Sequence, residues 1–292
     1  MKLDRILMAA AAAGVLFAQT ETRGIVPEEV VKARPQPKAG AVAVSPKYQP
    51  INPQAVTALR QPSSARQVGV TIWRLRPAAP GDSGARILVH DEEHTVEWVP
   101  ERVASSSSLN AGDRVRLTVE SPEAGYLYVI DRERYASGER GAPYLIFPTL
   151  RTHNGDNRVT AGRLIDIPAQ DDRPSFFSLR QSRPDQTEEE LTMLLTKEPI
   201  DGLEIGSKAQ ALSNEQVSGW EKQFGSAKVE RFELSGGTGK TWTRAEQQAG
   251  ADATRLLTQE DPPPQTIYRV SVNSGERLMI KVRLRYSAAH AK

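Results

Sequence analysis

The chain has 292 residues, with 38 Lys and Arg against 36 Asp and Glu, and no cysteine. Charges of both signs are interspersed, so the clustered basic face that nucleic-acid binding needs is missing. The lack of cysteine excludes a disulfide framework, thiolate catalysis, an acylated lipoprotein cysteine and every cysteine-ligated metal site.

Lys2 and Arg5 lead into thirteen apolar or small residues, Ile6 to Ala18. A hydrocarbon core takes roughly 20 residues to span, whereas this run has the length of a secretory h-region. Residues 1–18 read as a signal peptide, and the chain as exported, periplasmic or extracellular. No later segment is apolar enough to cross a membrane. Residues 19–66 carry Pro27, Pro35, Pro37, Pro46, Pro50, Pro53 and Pro62 and few large apolar side chains. Such a segment buries too little apolar surface to offset the entropy of ordering. It reads as a disordered, proline-rich linker.

From Gln67 the pattern turns β. Val68, Val70 and Ile72 alternate with Gly69, Thr71 and Trp73, the period of a strand. The stretch "ARILVHDEEHTVEWVPE" predicts a hairpin around a polar tip. In "GDRVRLTVES", Val115, Leu117 and Val119 face one way, and Arg114, Arg116, Thr118 and Glu120 the other. "GYLYVIDRE" and "PYLIFPT" are β-prone through their aromatic and β-branched content, with a polar loop expected over 132–142. "NRVTAGRLIDIPA", "SFFSLRQS" and "ELTMLLTKEP" add further strands. Residues 67–199 thus predict an antiparallel β-sandwich.

Residues 200–265 read as a helical and β insertion or a subdomain. Ser213 with Gln216, and Thr243 with Glu246, have the spacing of capping boxes, and "AKVERFEL" between them reads as a strand. Residues 266–292 are expected to form a closing β-hairpin and tail. One face of its last strand carries Leu278, Ile280, Val282, Leu284 and Tyr286. The fold class expected is mainly β, an antiparallel sandwich with a small helical addition in the C-terminal third.

Several motifs invite chemistry. "FELSGGTGKTW" looks like a phosphate-binding loop, yet the first glycine of G-x-x-x-x-G-K-[ST] falls on Leu234. Lys240 also lies outside the helix that follows, so a glycine turn is the expectation and no nucleotide is assigned. "HDEEH" fits the H-x-x-E-H order of inverted zinc peptidases, but strand-like flanks put His90 and His94 across a turn without a third ligand. No G-x-S-x-G elbow occurs. Asp171-Asp172 and Glu188-Glu189-Glu190 read as solvated charge, and "RTHNGDN" as a turn. Tyr126 and Tyr128 share a face and, if exposed, could stack on a sugar or a peptide. No catalytic, cofactor-binding or metal-ligating residue is assigned.

Gly125-Tyr126-Leu127-Tyr128, Phe147-Pro148, the spacing Asn157 to Ala161-Gly162, and Ile167-Pro168 together resemble an exported bacterial family, the domain of unknown function numbered 4384. The resemblance covers about residues 110–199. It implies an extracytoplasmic β-rich module with no established activity. The expectation is a non-catalytic interaction module of the cell envelope that binds a protein or a surface polymer, without nucleic acid, cofactor or stable membrane span. The alternative is an extracytoplasmic hydrolase with a weak histidine or acidic site.

Overall fold

The computed structural model describes residues 29–36, 46–51, 65–82, 84–90, 95–225, 227–252, 254–271 and 277–287. The first 28 residues, with the expected signal peptide, lie outside them. Among the described residues no helix is long and apolar enough to cross a membrane.

The chain opens with α1 (Glu29–Lys32), β1 (Tyr48–Pro50) and the long β2 (Ala65–Pro77), then the hairpin β3 (Ile87–His90) and β4 (Thr95–Val103). Next come β5 (Ser108–Leu109), β6 (Arg114–Glu120), β7 (Gly125–Tyr135), β8 (Tyr144–Phe147), β9 (Arg158–Val159), β10 (Leu164–Ile167), β11 (Phe177–Ser178) and β12 (Gln186–Thr196). The last third holds β13 (Gln210–Ala211), α2 (Asn214–Phe224), β14 (Lys228–Leu234), α3 (Arg244–Ala251), β15 (Thr266–Ser271) and β16 (Leu278–Tyr286).

Two sheets face each other, as the alternating pattern demands. In the first, β2 is the spine. β6 pairs along one edge, while β15 and β4 lie end to end along the other. β14 and β1 extend the sheet beyond β15, β3 lies beyond β4, and β10 and β11 flank β6. The second sheet runs β13-β8-β7-β12-β16-β5, with β9 on β7. Between the sheets lie Val68, Val70, Ile72, Val115, Leu117 and Val119, facing Leu127, Val129, Leu191, Met193, Ile280 and Val282. Each fully buried aliphatic of this set contributes about 1.5–3 kcal/mol by leaving water.

Both outer faces are covered as well. Ser213 caps α2 by accepting a hydrogen bond from the Gln216 amide. The helix lays Val217 and Phe224 on Tyr128, Ile130, Leu194 and Met279 of the second sheet. On the first sheet, Trp242 packs against Trp73, Leu75 and Ile87, with the two indoles 5.8 Å apart. Thr243 and Glu246 close a full capping box at the start of α3. The polar side of β6 is therefore not a solvent face, and a polar residue buried there must find partners. Trp73 Nε1 donates to Thr118 Oγ1, which donates to Asp166 Oδ1, while Arg116 donates to Asp166 Oδ2.

Four expectations change. Parts of the expected linker over 19–66 are built into the body: β1 pairs with β14, and Val31 and Arg34 are buried. Their partners come from distant sequence, which local composition does not show. The closing hairpin is not one, because β15 joins the first sheet and β16 the second. Residues 200–265 are not a separate subdomain, since β13 and β14 extend the two sheets and α2 and Trp242 cover them. The loop expected over 132–142 begins later, as β7 runs to Tyr135 opposite the long β12.

Candidate functional site

The glycine turn is consumed by the fold. Gly236 and Gly239 take positive φ values of 69° and 78°, which glycine reaches without strain. The amides of Gly237, Gly239 and Lys240 donate to the carbonyls of Leu234, Arg102 and Gly237. N–H groups committed in this way are not aimed outward at a phosphate, as a phosphate cradle requires. The turn docks α3 against β4, where Arg102 donates to Glu246 and to the Pro263 carbonyl.

The other candidates separate. His90 ends β3 opposite Thr95, while Asp91 to His94 lie outside the described residues. Among the described residues, no group of three His, Asp or Glu could hold a metal ion. His153 packs edge-on to Phe147, and Asp172 accepts from the amides of His153 and Ala169, so it shapes a turn. Tyr128 is buried under α2 and accepts a hydrogen bond from the Ile200 amide, and Tyr126 packs against the same cluster. They form no stacking platform: the aromatic alternation marked the face that α2 covers.

Glu188-Glu189-Glu190 is not solvated charge. The run lies within β12, between β7 and β16, and all three carboxyls are buried. Glu190 faces outward into a cationic set, with Arg140 at 2.6 Å, Lys281 at 3.1 Å and Arg283 at 3.7 Å. Glu221 of α2 joins through Arg140 at 2.9 Å and Lys281 at 2.7 Å. Burial pulls the Glu221 carboxyl upward, but the hydrogen bonds from Arg140 and Lys281 win and hold it down to about 2.

Glu189 faces inward, toward the end of the core, where Asp131 of β7 meets it. It is 7% exposed. Its Oε1 accepts from Tyr286 and Gln186, both at 2.8 Å. Its Oε2 and the Asp131 Oδ1 are buried with no donor from a third residue among those described, and the two carboxyls are within hydrogen-bond reach of each other. Burial and the neighbouring Glu189 charge hold the Asp131 carboxyl well above the usual carboxylate range. Burial raises Glu189 too, against the pull of its Tyr286 and Gln186 hydrogen bonds. Both line a cavity of about 140 Å³ whose other walls are mostly aliphatic, including Leu117, Leu191 and Leu284. An apolar pocket with converging perturbed carboxyls has the composition of a ligand site. Sequence reasoning passed over Asp131 because it begins the charged stretch Asp131 to Arg134 that ends β7; an acid continuing the core-facing alternation of Leu127 and Val129 was the available signal.

A second concavity lies on the surface. A groove of about 550 Å³ runs between the N-terminal segment and the first sheet, lined by Val30, Ala33, Pro35, Pro122, Ala161 and Leu256 among others. Leu256 is 50% exposed. Arg66 and Glu123, paired beside it, give a polar rim. No tyrosine, tryptophan or phenylalanine lines this groove among the described residues.

Comparison of the chain with family models, with curated protein sequences and with solved structures gave no match.

Proposed function

We propose that the chain is an exported, non-catalytic interaction module of the cell envelope, and that it binds an extended segment of a partner protein in the groove between Arg34 and Leu256. One observation carries this reading: the groove of about 550 Å³ has apolar walls and an exposed leucine beside a charged rim. An apolar strip with a polar border is the ordinary mark of a docking surface. A surface polysaccharide fits less well, because sugar recognition would draw on exposed aromatic faces and the groove has none among the described residues. The apolar run before Gln19 and the resemblance over residues 110–199 support the extracytoplasmic setting.

For the hydrolase alternative, expected at His90 and His94 or at an acidic pair, the carboxyls that converge on a cavity are Asp131 and Glu189. A cavity of about 140 Å³ has no room for a polymer chain, so binding remains the better-supported reading.

The test is affinity capture of the C-terminally tagged chain from the cells that make it, beside Leu256→Asp. Because Leu256 is half exposed, this variant is expected to fold, which circular dichroism checks. A stoichiometric protein retained by the wild type and lost from Leu256→Asp supports the proposal. Retention by both moves the interface off the groove. An empty eluate from both overturns protein binding.

A further inference from the structure

Eight carboxylates are buried among the described residues: Glu120, Asp166, Glu188, Glu189, Glu190, Glu230, Glu246 and Asp261. Seven of them stand within ion-pair distance of an arginine or lysine. Glu189 has none, and neither does its neighbour Asp131. Glu133, the third carboxyl on this face, accepts from the Tyr135 hydroxyl. Buried charge is kept in proteins where it is paired, and among these eight Glu189 alone has no cationic partner. Glu189 Oε2 and Asp131 Oδ1 sit beside the cavity with no donor from a third residue, so only a proton held between the two carboxyls satisfies them.

We propose that the Asp131–Glu189 cavity is a binding site for a primary ammonium group on a short alkyl stem. The ammonium would take the position that arginine or lysine holds beside the other seven carboxylates. Its three N–H donors serve the two oxygens in place of the proton between the carboxyls, and the stem lies against Leu117, Leu191 and Leu284. A hydrated inorganic cation fits poorly. Hard cations take six or more oxygen ligands, and the walls facing the carboxyls are aliphatic. Ser178, which also lines the cavity, is exposed, so the cavity has a mouth at β11. The ammonium could belong to a free amine or to a lysine of a bound chain. The site is separate from the groove and stands whether or not the groove binds protein.

The experiment is calorimetric titration of the full chain with n-butylammonium chloride at pH 8, with sodium chloride at equal ionic strength as control. Glu189→Gln and Ser178→Trp are titrated in parallel. Glu189→Gln removes the charge, and Ser178→Trp closes the mouth from an exposed position without touching the core. Saturable butylammonium binding that weakens at least ten-fold in both variants supports the site. A lysine-containing peptide that competes with butylammonium assigns the ligand to a bound chain, and failure to compete assigns it to a free amine. Three results overturn the proposal: no saturable heat with the wild type, equal binding by folded Glu189→Gln, or sodium competing as well as butylammonium. In the first case the two carboxyls simply share a proton.

Discussion

Arg34 donates two hydrogen bonds to Glu120, 3.0 Å from Nε and 2.7 Å from Nη2, across 86 residues of sequence. The guanidinium also donates to the Asp261 carbonyl at 2.8 Å. One side chain thereby ties the N-terminal segment, the end of β6 and the turn before β15 together. Breaking one partner of a buried pair leaves the other charge uncompensated, at a cost of about 3–5 kcal/mol. Arg34→Ala is expected to lower the unfolding free energy read from urea titration by that amount. A change below about 1 kcal/mol would mean that residues 29–36 do not dock in solution.

Stability should depend on pH from both directions. The Glu221 carboxyl is held down to about 2, so its contribution is present above the ordinary carboxylate range and disappears as pH falls toward 2. Asp131 and Glu189 are raised. The native state therefore binds their protons more tightly than the unfolded chain, and stability declines as pH rises from the ordinary carboxylate range through their native values. Thermal melts across pH should show an acidic and an alkaline limb. Asp131→Asn with Glu189→Gln should flatten the alkaline limb only and add about 0.5–2 kcal/mol at pH 8, the usual gain from removing an unfavourable group.

Trp242 is 2% exposed against Trp73, with Arg116 over its ring. Trp242→Ala should cost about 3–5 kcal/mol. Thr243→Ala, which removes only the cap of α3, should cost about 1 kcal/mol. Chemical denaturation of the two variants checks the ratio, and equal losses would show that the indole contributes little beyond starting the helix.

Gly250 lies where α3 crosses the Asp166 carboxylate so closely that a Cβ would overlap it. Although alanine is the better helix former, Gly250→Ala should destabilise by about 1–3 kcal/mol through the forced separation. A stabilised variant would show that α3 is free to move away from β10.

Much of the sandwich was legible in the residues. The alternations in β2, β6, β7 and β16 reported their core faces, because a two-residue period admits only two orientations. The helix starts at Ser213 and Thr243 were equally plain, since capping needs particular side chains at particular spacings. What lay across from each strand was not legible. Arg116 and Glu120 look solvent-facing until Trp242 and Arg34 cover them, and β15 and β16 look like a hairpin until each finds a different sheet. The candidate site suffered most. Asp131 opens the charged half of β7, ahead of Arg132, Glu133 and Arg134, and Glu189 sits inside a charged run whose neighbour Glu190 points the opposite way. Only the register of β7 on β12 brings the two together.

The position of β16 has a consequence for the order of events in synthesis. It pairs with β12 over eight residues, yet it is made after every other described strand. Until it emerges, β12 has one bare edge, and the inner faces of Leu191 and Met193 lack half their cover. A chain cut before residue 278 would hold every strand of the first sheet and lack the one that closes the second. Such a chain leaves the edge of β12 unpaired and the second half of the core uncovered until β16 is added.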